Sequence, residues 1–179
     1  MEPGVGSDRP VEQGALDWSG QSTAECPIGL AVGLIGDRWS LLVLRELAFG
    51  VDRFDAVQEH LQVSRRTLAE RLDTLVEADI VHRVPYRDPG QRTRHRYELT
   101  ATGADVLPLL MAFGAWGERY RTGGRSPVRM VHANCGRGVH PGLRCSGGHD
   151  LADSSQIIPQ LRVSAAPLTQ RRQPPPAAG

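Results

Sequence analysis

Three sets of side chains in this 179-residue chain have the types and spacing to do chemistry. The first is arginine. Between His82 and Tyr97, Arg83, Arg87, Arg92, Arg94 and Arg96 stand against a single acid, Asp88, and Arg65, Arg66 and Arg71 lie just upstream. A guanidinium is a planar fork of donors that fits a phosphate or the O6/N7 edge of guanine. The second set is His132-x2-Cys135 and Cys145-x3-His149, two nitrogen/sulfur pairs across a Gly-rich span, a spacing that suits a small closed zinc site with four ligands. The third is Cys26, directly before Pro27 at a predicted helix start, where the peptide dipole favours negative charge.

These residues need elements to position them. Ser64 reads as an N-cap, and Leu68, Leu72, Leu75 and Val76 then recur as one helical apolar stripe. The opposite face carries Arg65, Arg66, Glu70, Arg71 and Thr74. After Ala78-Asp79 the period changes. Residues 80–84 and 94–99 read as two strands joined by a turn at Asp88-Pro89-Gly90. Upstream, Pro27 opens a helix that Gly36 stops. Asp37 caps a buried second helix over residues 38–47, and residues 53–61 form a short third helix with Phe54, Val57 and Leu61 inward. Two short helices joined by a tight turn at Gln62-Val63 match a helix-turn-helix, and the arginine-tipped hairpin after it makes a winged helix. Thr100 caps a long helix from Ala101 to about Arg121, with Val106, Leu109, Leu110, Phe113 and Trp116 on one face. Pro108 should kink or break it. Such a stripe suits pairing with a second copy of the chain; packing on the first helix is the alternative.

The expected fold is mainly α with a small β-hairpin (α+β). Residues 1–22 read as a flexible tail, 23–122 as the winged-helix and dimerisation domain, 123–127 as a linker, 128–163 as a small extension and 164–179 as a disordered Pro/Ala-rich tail. The net charge of +1 does not itself point to nucleic acid, and every basic residue is Arg, with no Lys. The N-terminus lacks a basic region followed by an apolar run, no segment has the length to span a bilayer, and three cysteines without an export signal suit reduced thiols. A cytoplasmic location without membrane contact is expected. The sequence offers neither clustered carboxylates nor a nucleophile motif, so an enzyme, a zinc hydrolase included, is not expected.

Several spaced motifs resemble the HxlR-type transcriptional regulators, a winged-helix family related to the MarR regulators. They are Cys26-Pro27, Ile35-Gly36-Asp37-Arg38-Trp39-Ser40, Leu44-Arg45-Glu46-Leu47, Arg53-Phe54, Leu68 with Arg71-Leu72 and Leu75, Arg83-Val84, Tyr97-Glu98-Leu99-Thr100 with Gly103, and Trp116. The resemblance covers about 26–121. It implies a homodimer on palindromic operators that regulates nearby genes, as a repressor, in response to electrophiles, oxidants or small molecules. Thiol switching in relatives with a cysteine at this position makes Cys26 the redox candidate; a small buried cap is the alternative. In relatives with the extension, the second pair looks like Cys-x2-Cys; here Gly148 stands at the last position with His149 beside it. Structural zinc on His132, Cys135, Cys145 and His149 is one reading and a degenerate remnant the other; no cofactor is otherwise required.

For double-stranded DNA the expected contacts are Arg38, Ser64, Arg65, Arg66, Thr67 and Arg71 at the helices, and Arg92, Arg94 and Arg96 on the wing. More than half of protein–DNA hydrogen bonds go to the backbone, so one or two base readers are expected among them. Strand alternation places Arg92, Arg94 and Arg96 on one face. Leu34, Trp39, Phe113 and Trp116 are candidates for an effector pocket, with plain core as the alternative. A winged-helix protein-interaction adaptor is the competing function.

Overall fold

The structure, a computed structural model, describes residues 26–159. The expected tails at 1–22 and 164–179 lie outside the described residues. The chain divides into two compact units between Leu143 and Arg144, downstream of the expected linker at 123–127.

Six helices and a two-stranded hairpin make up the described part of the larger unit. They run as α1 (Pro27–Ile35), α2 (Arg38–Ala48), α3 (Phe54–Leu61), α4 (Arg65–Glu77), β1 (Val81–Tyr86), β2 (Arg94–Leu99), α5 (Ala101–Ala104) and α6 (Leu107–Tyr120). Leu68, Leu72 and Leu75 of α4 are fully buried against Val43 and Leu44 of α2 and Val57 of α3, with Val63, Ile80, Val81 and Val106 closing the core. The stripe read from the sequence is therefore the face that holds α4 in place. Burial of this kind stabilises at about 25 cal/mol per Å² of apolar surface.

α2 is central, as its composition predicted, and it buries one charge. The Glu46 carboxylate, 2% exposed, accepts from Arg45 Nε at 3.0 Å and meets His60 Nδ1 at 2.6 Å. A buried carboxylate needs such partners, and His60 belongs to α3, so the pair ties the two helices together. Burial works to raise the Glu46 pKa, but hydrogen bonds and charge from Arg45 and His60 outweigh it, and the carboxyl titrates below its ordinary range.

The wing is antiparallel, with Val81 opposite Leu99 and Tyr86 opposite Arg94. Its base is clasped by Thr100. The Thr100 backbone N–H donates to the Ile80 carbonyl at 3.0 Å, its hydroxyl donates to the Asp79 carbonyl at 2.7 Å, and the same oxygen accepts from the Gly103 N–H at 3.0 Å. Gly103 lies so close that a Cβ there would stand 2.1 Å from the Ile80 carbonyl oxygen.

One expectation needs correction. The single long helix from Ala101 to Arg121 is two helices, interrupted at Asp105–Val106. The break falls ahead of Pro108, which occupies the first turn of α6, where a missing N–H leaves no helical bond unmade. Val106 turns into the core at 8% exposure and anchors the break.

Past α6, Val131 bridges Gly138, and β3 (Leu143–Arg144) pairs with β4 (Asp150–Leu151), followed by a 3-10 turn at Ser154–Gln156. Arg144 forks onto Asp150 through bonds of 2.7 and 3.1 Å.

Candidate nucleic-acid interface

The turn between α3 and α4 sets the interface. Gln62 takes the left-handed conformation (φ 51°), which ends α3 abruptly, and Val63 then buries its side chain as an anchor. Ser64 caps α4, its Oγ accepting from the Thr67 N–H at 3.1 Å and meeting the Thr67 hydroxyl at 2.9 Å. Two exposed arginines therefore open the helix. Arg65 stacks over the Phe54 ring at 4.8 Å from its centroid and donates to Asp55 at 2.9 Å and Gln58 at 3.3 Å. Arg66, with an 89% exposed side chain, donates to Glu70 at 2.8 Å across one turn.

The wing leans back onto α3. The Tyr97 N–H donates to the Asp52 carbonyl at 2.8 Å, and the backbones of Arg53 and Arg96 pair as an isolated antiparallel bridge. Arg94 lies 3.4 Å from Asp55, Arg96 pairs with Glu98 at 2.8 Å, and Arg53 covers the Tyr86 ring at 4.6 Å. Between the head of α4 and the wing runs an open groove of about 390 Å³, lined by Arg65, Arg92 and Arg94 with Phe54, Tyr86 and Tyr97. The structure thus gathers Arg65, Arg92 and Arg94 from separate segments onto one surface. Arg92 sits in the loop ahead of β2, so strand alternation does not govern it.

Two expected contacts are placed differently. Arg71 turns toward α2, its Nε 3.7 Å from Asp37, and that nitrogen is buried. It lies seven residues from Ser64 on the flank of α4 that faces the α2 terminus, so it braces the two helices. Arg38 was expected to join the free N–H groups at that terminus in holding a phosphate. Two of those groups are taken, because Asp37 accepts from the N–H of Trp39 at 2.9 Å and of Ser40 at 3.1 Å, while Arg38 lies over the Trp39 ring. Burial works to raise the Asp37 pKa, but hydrogen bonds from Ser40 and Trp39, with the charge of Arg71, hold it below its ordinary value.

The remaining candidates are scattered. Cys26 is the half-buried N-cap of α1 and makes no side-chain cap bond. Leu34 and Trp39 pack partly buried against the core, whereas Phe113 and Trp116 are 63% and 54% exposed, so the four do not enclose a common cavity. His132 Nδ1 lies 3.2 Å from Cys135 Sγ, and Cys145 Sγ lies 3.4 Å from His149 Nδ1. Hydrogen bonds from the backbone of His149 and Gly147, then from the His149 ring, lower the Cys145 pKa. Among the described residues no group of three or more His, Cys, Asp or Glu side chains comes together as metal ligands. Asp55 lines the same groove and is the residue of this candidate site that the sequence did not single out. Its only local signal is an acid in the first turn of α3, which a helix N-terminus favours anyway.

A helix-turn-helix whose second helix opens with exposed arginines, flanked by a basic hairpin, defines the winged-helix transcriptional regulators. Residues 34–124 match the model of the HxlR-like helix-turn-helix family. An uncharacterised HTH-type transcriptional regulator of Mycobacterium tuberculosis is 36% identical over 135 residues, covering 74% of this chain and 84% of that protein. The HTH-type transcriptional regulator YodB of Bacillus subtilis is 31% identical over 97 residues, 53% of this chain and 85% of that one. Among solved structures, the transcription factor PA1607 superposes with a TM-score of 0.65 at 34% identity, covering 80% of this chain and 97% of that chain. The chain belongs to the HxlR-like helix-turn-helix family of transcriptional regulators.

Proposed function

We propose that the protein binds a palindromic DNA operator as a homodimer and represses the adjoining genes in the bacterial cytoplasm. The head of α4 enters the major groove, where Arg65 and Arg66 are the base readers and Ser64 and Thr67 contact the backbone. Arg92, Arg94 and Arg96 of the wing hold flanking phosphates or the minor groove. The observation that carries this reading is the shared groove, which sets arginines of the recognition helix and of the wing on one open surface. A basic hairpin beside the head of the helix favours DNA over a protein-interaction adaptor.

The homodimer reading is supported by α6. Leu109, Phe113, Trp116 and Tyr120 are spaced by four, three and four residues and are 49%, 63%, 54% and 57% exposed, an apolar seam of the kind two helices share. Control falls to Cys26 by oxidation, or to a small molecule. Binding to DNA from the protein's own promoter region, measured by gel shift at stated salt, tests the proposal. A footprint with half-sites one turn apart, roughly 34–36 Å, is expected. Absence of any shift at low salt would sink it.

A further inference from the structure

Asp55 stands in the first turn of α3, beneath the surface that α4 and the wing share. One of its carboxylate oxygens accepts from Arg65 Nη1 at 2.9 Å, and the other lies 3.4 Å from Arg94 Nη1. Arg65 opens the recognition helix and Arg94 opens β2, ten and thirty-nine positions away in the chain. Among the described residues, Asp55 is the carboxylate that arginines of both these elements share. Its partners are wet: the Arg65, Arg94 and Asp55 side chains are 69%, 46% and 62% exposed. A pair this exposed is weak, and its arginines exchange readily onto another anion.

We propose that Asp55 is a specificity-determining residue: its charge cancels part of that of Arg65 and Arg94, so that phosphate attraction alone holds a duplex poorly. The inference rests on the DNA-binding reading above. Sequence-independent affinity comes from arginines neutralising phosphates and releasing counterions, with a salt slope of about 0.9 per phosphate. An arginine that already has a carboxylate partner contributes less to that sum. A phosphate brings a second negative charge up to the Asp55 carboxylate and is repelled by it, whereas a guanine edge is neutral and still offers two in-plane acceptors to one guanidinium. Asp55 therefore lowers affinity for every duplex and lowers it least for the cognate one. Phe54, stacked under Arg65, keeps the guanidinium plane directed while its partner changes.

The test is fluorescence anisotropy of a mixed-sequence duplex with the full chain, across about 50 to 200 mM salt. Asp55→Asn keeps the shape and an acceptor oxygen but removes the charge. It is expected to bind about three- to tenfold tighter, with a salt slope steeper by about one to two units. Asp55→Glu retains the charge and stays near the parent protein. Arg94→Ala binds more weakly, and adding it to Asp55→Asn removes about one unit of the gained slope. A purely structural pair would leave the slope of Asp55→Asn unchanged or weaken binding. That result, with the parent protein binding and Arg94→Ala weakened, overturns the inference and leaves the DNA reading standing. Failure of the parent protein and all variants to bind overturns both.

Discussion

Arg71 of the recognition helix and Asp37, the N-cap of α2, meet at 3.7 Å, so one carboxylate both caps a helix and braces its neighbour. Asp37→Ala removes two backbone hydrogen bonds and leaves the buried Arg71 Nε without its nearby charge. A loss of about 0.5–2 kcal/mol is expected from the cap alone, read as a lower midpoint in urea. An unchanged midpoint would remove Asp37 from the stability account.

Asp37 and Glu46 both titrate below their ordinary values in the folded chain. A lowered folded pKa means that the unfolded chain binds protons more readily. Their contribution is therefore complete above the ordinary carboxylate range and is lost as pH falls through the lowered folded values. Urea midpoints should be level at neutral pH and drop in acid, and Glu46→Gln should make that drop shallower.

Gly103→Ala drives a methyl into the Ile80 carbonyl, where backbone rather than a flexible side chain must yield. Overpacking of this sort costs about 1–3 kcal/mol. The damage should centre on the wing base, seen as faster amide exchange at Thr100 and Ile80.

Phe113→Glu and Trp116→Glu place charge on the exposed seam of α6 without touching the core. Sedimentation should show a monomer with unchanged circular dichroism. A dimer that survives both would put the interface elsewhere.

Arg94→Ala should weaken all duplexes alike and reduce the salt slope by less than the roughly 0.9 of a full phosphate contact, whereas Arg66→Ala should cost about 1–3 kcal/mol on the operator and far less on mixed sequence. Equal losses on both duplexes would make Arg66 a phosphate contact.

Much of this molecule was legible before its structure. The stripe at Leu68, Leu72 and Leu75 and the change of period after Asp79 are local patterns, and they gave the recognition helix and the wing. Arg65, Arg66 and Arg94 stood out by type. What local pattern does not carry is the partner of a surface charge. Arg71 looked like a groove residue because its helical position is exposed in isolation, and Asp37 claims it only once α2 packs alongside. Asp55 gives no local sign of its partners, because its two arginines reach it from ten and thirty-nine residues away. The interruption at Asp105–Val106 was displaced from Pro108 because Val106 is drawn into a core that spacing alone did not assign to it.

The Thr100 clasp fastens the exit of α4, the end of the wing and the start of α5 at one point. Helix and wing consequently keep a set gap, like the jaws of a caliper. On the proposed reading, the protein gauges the duplex instead of moulding to it. A sequence whose grooves do not fit that gap must bend itself, at an elastic cost that depends on its own stiffness. Discrimination of this kind extends to base pairs that no side chain touches.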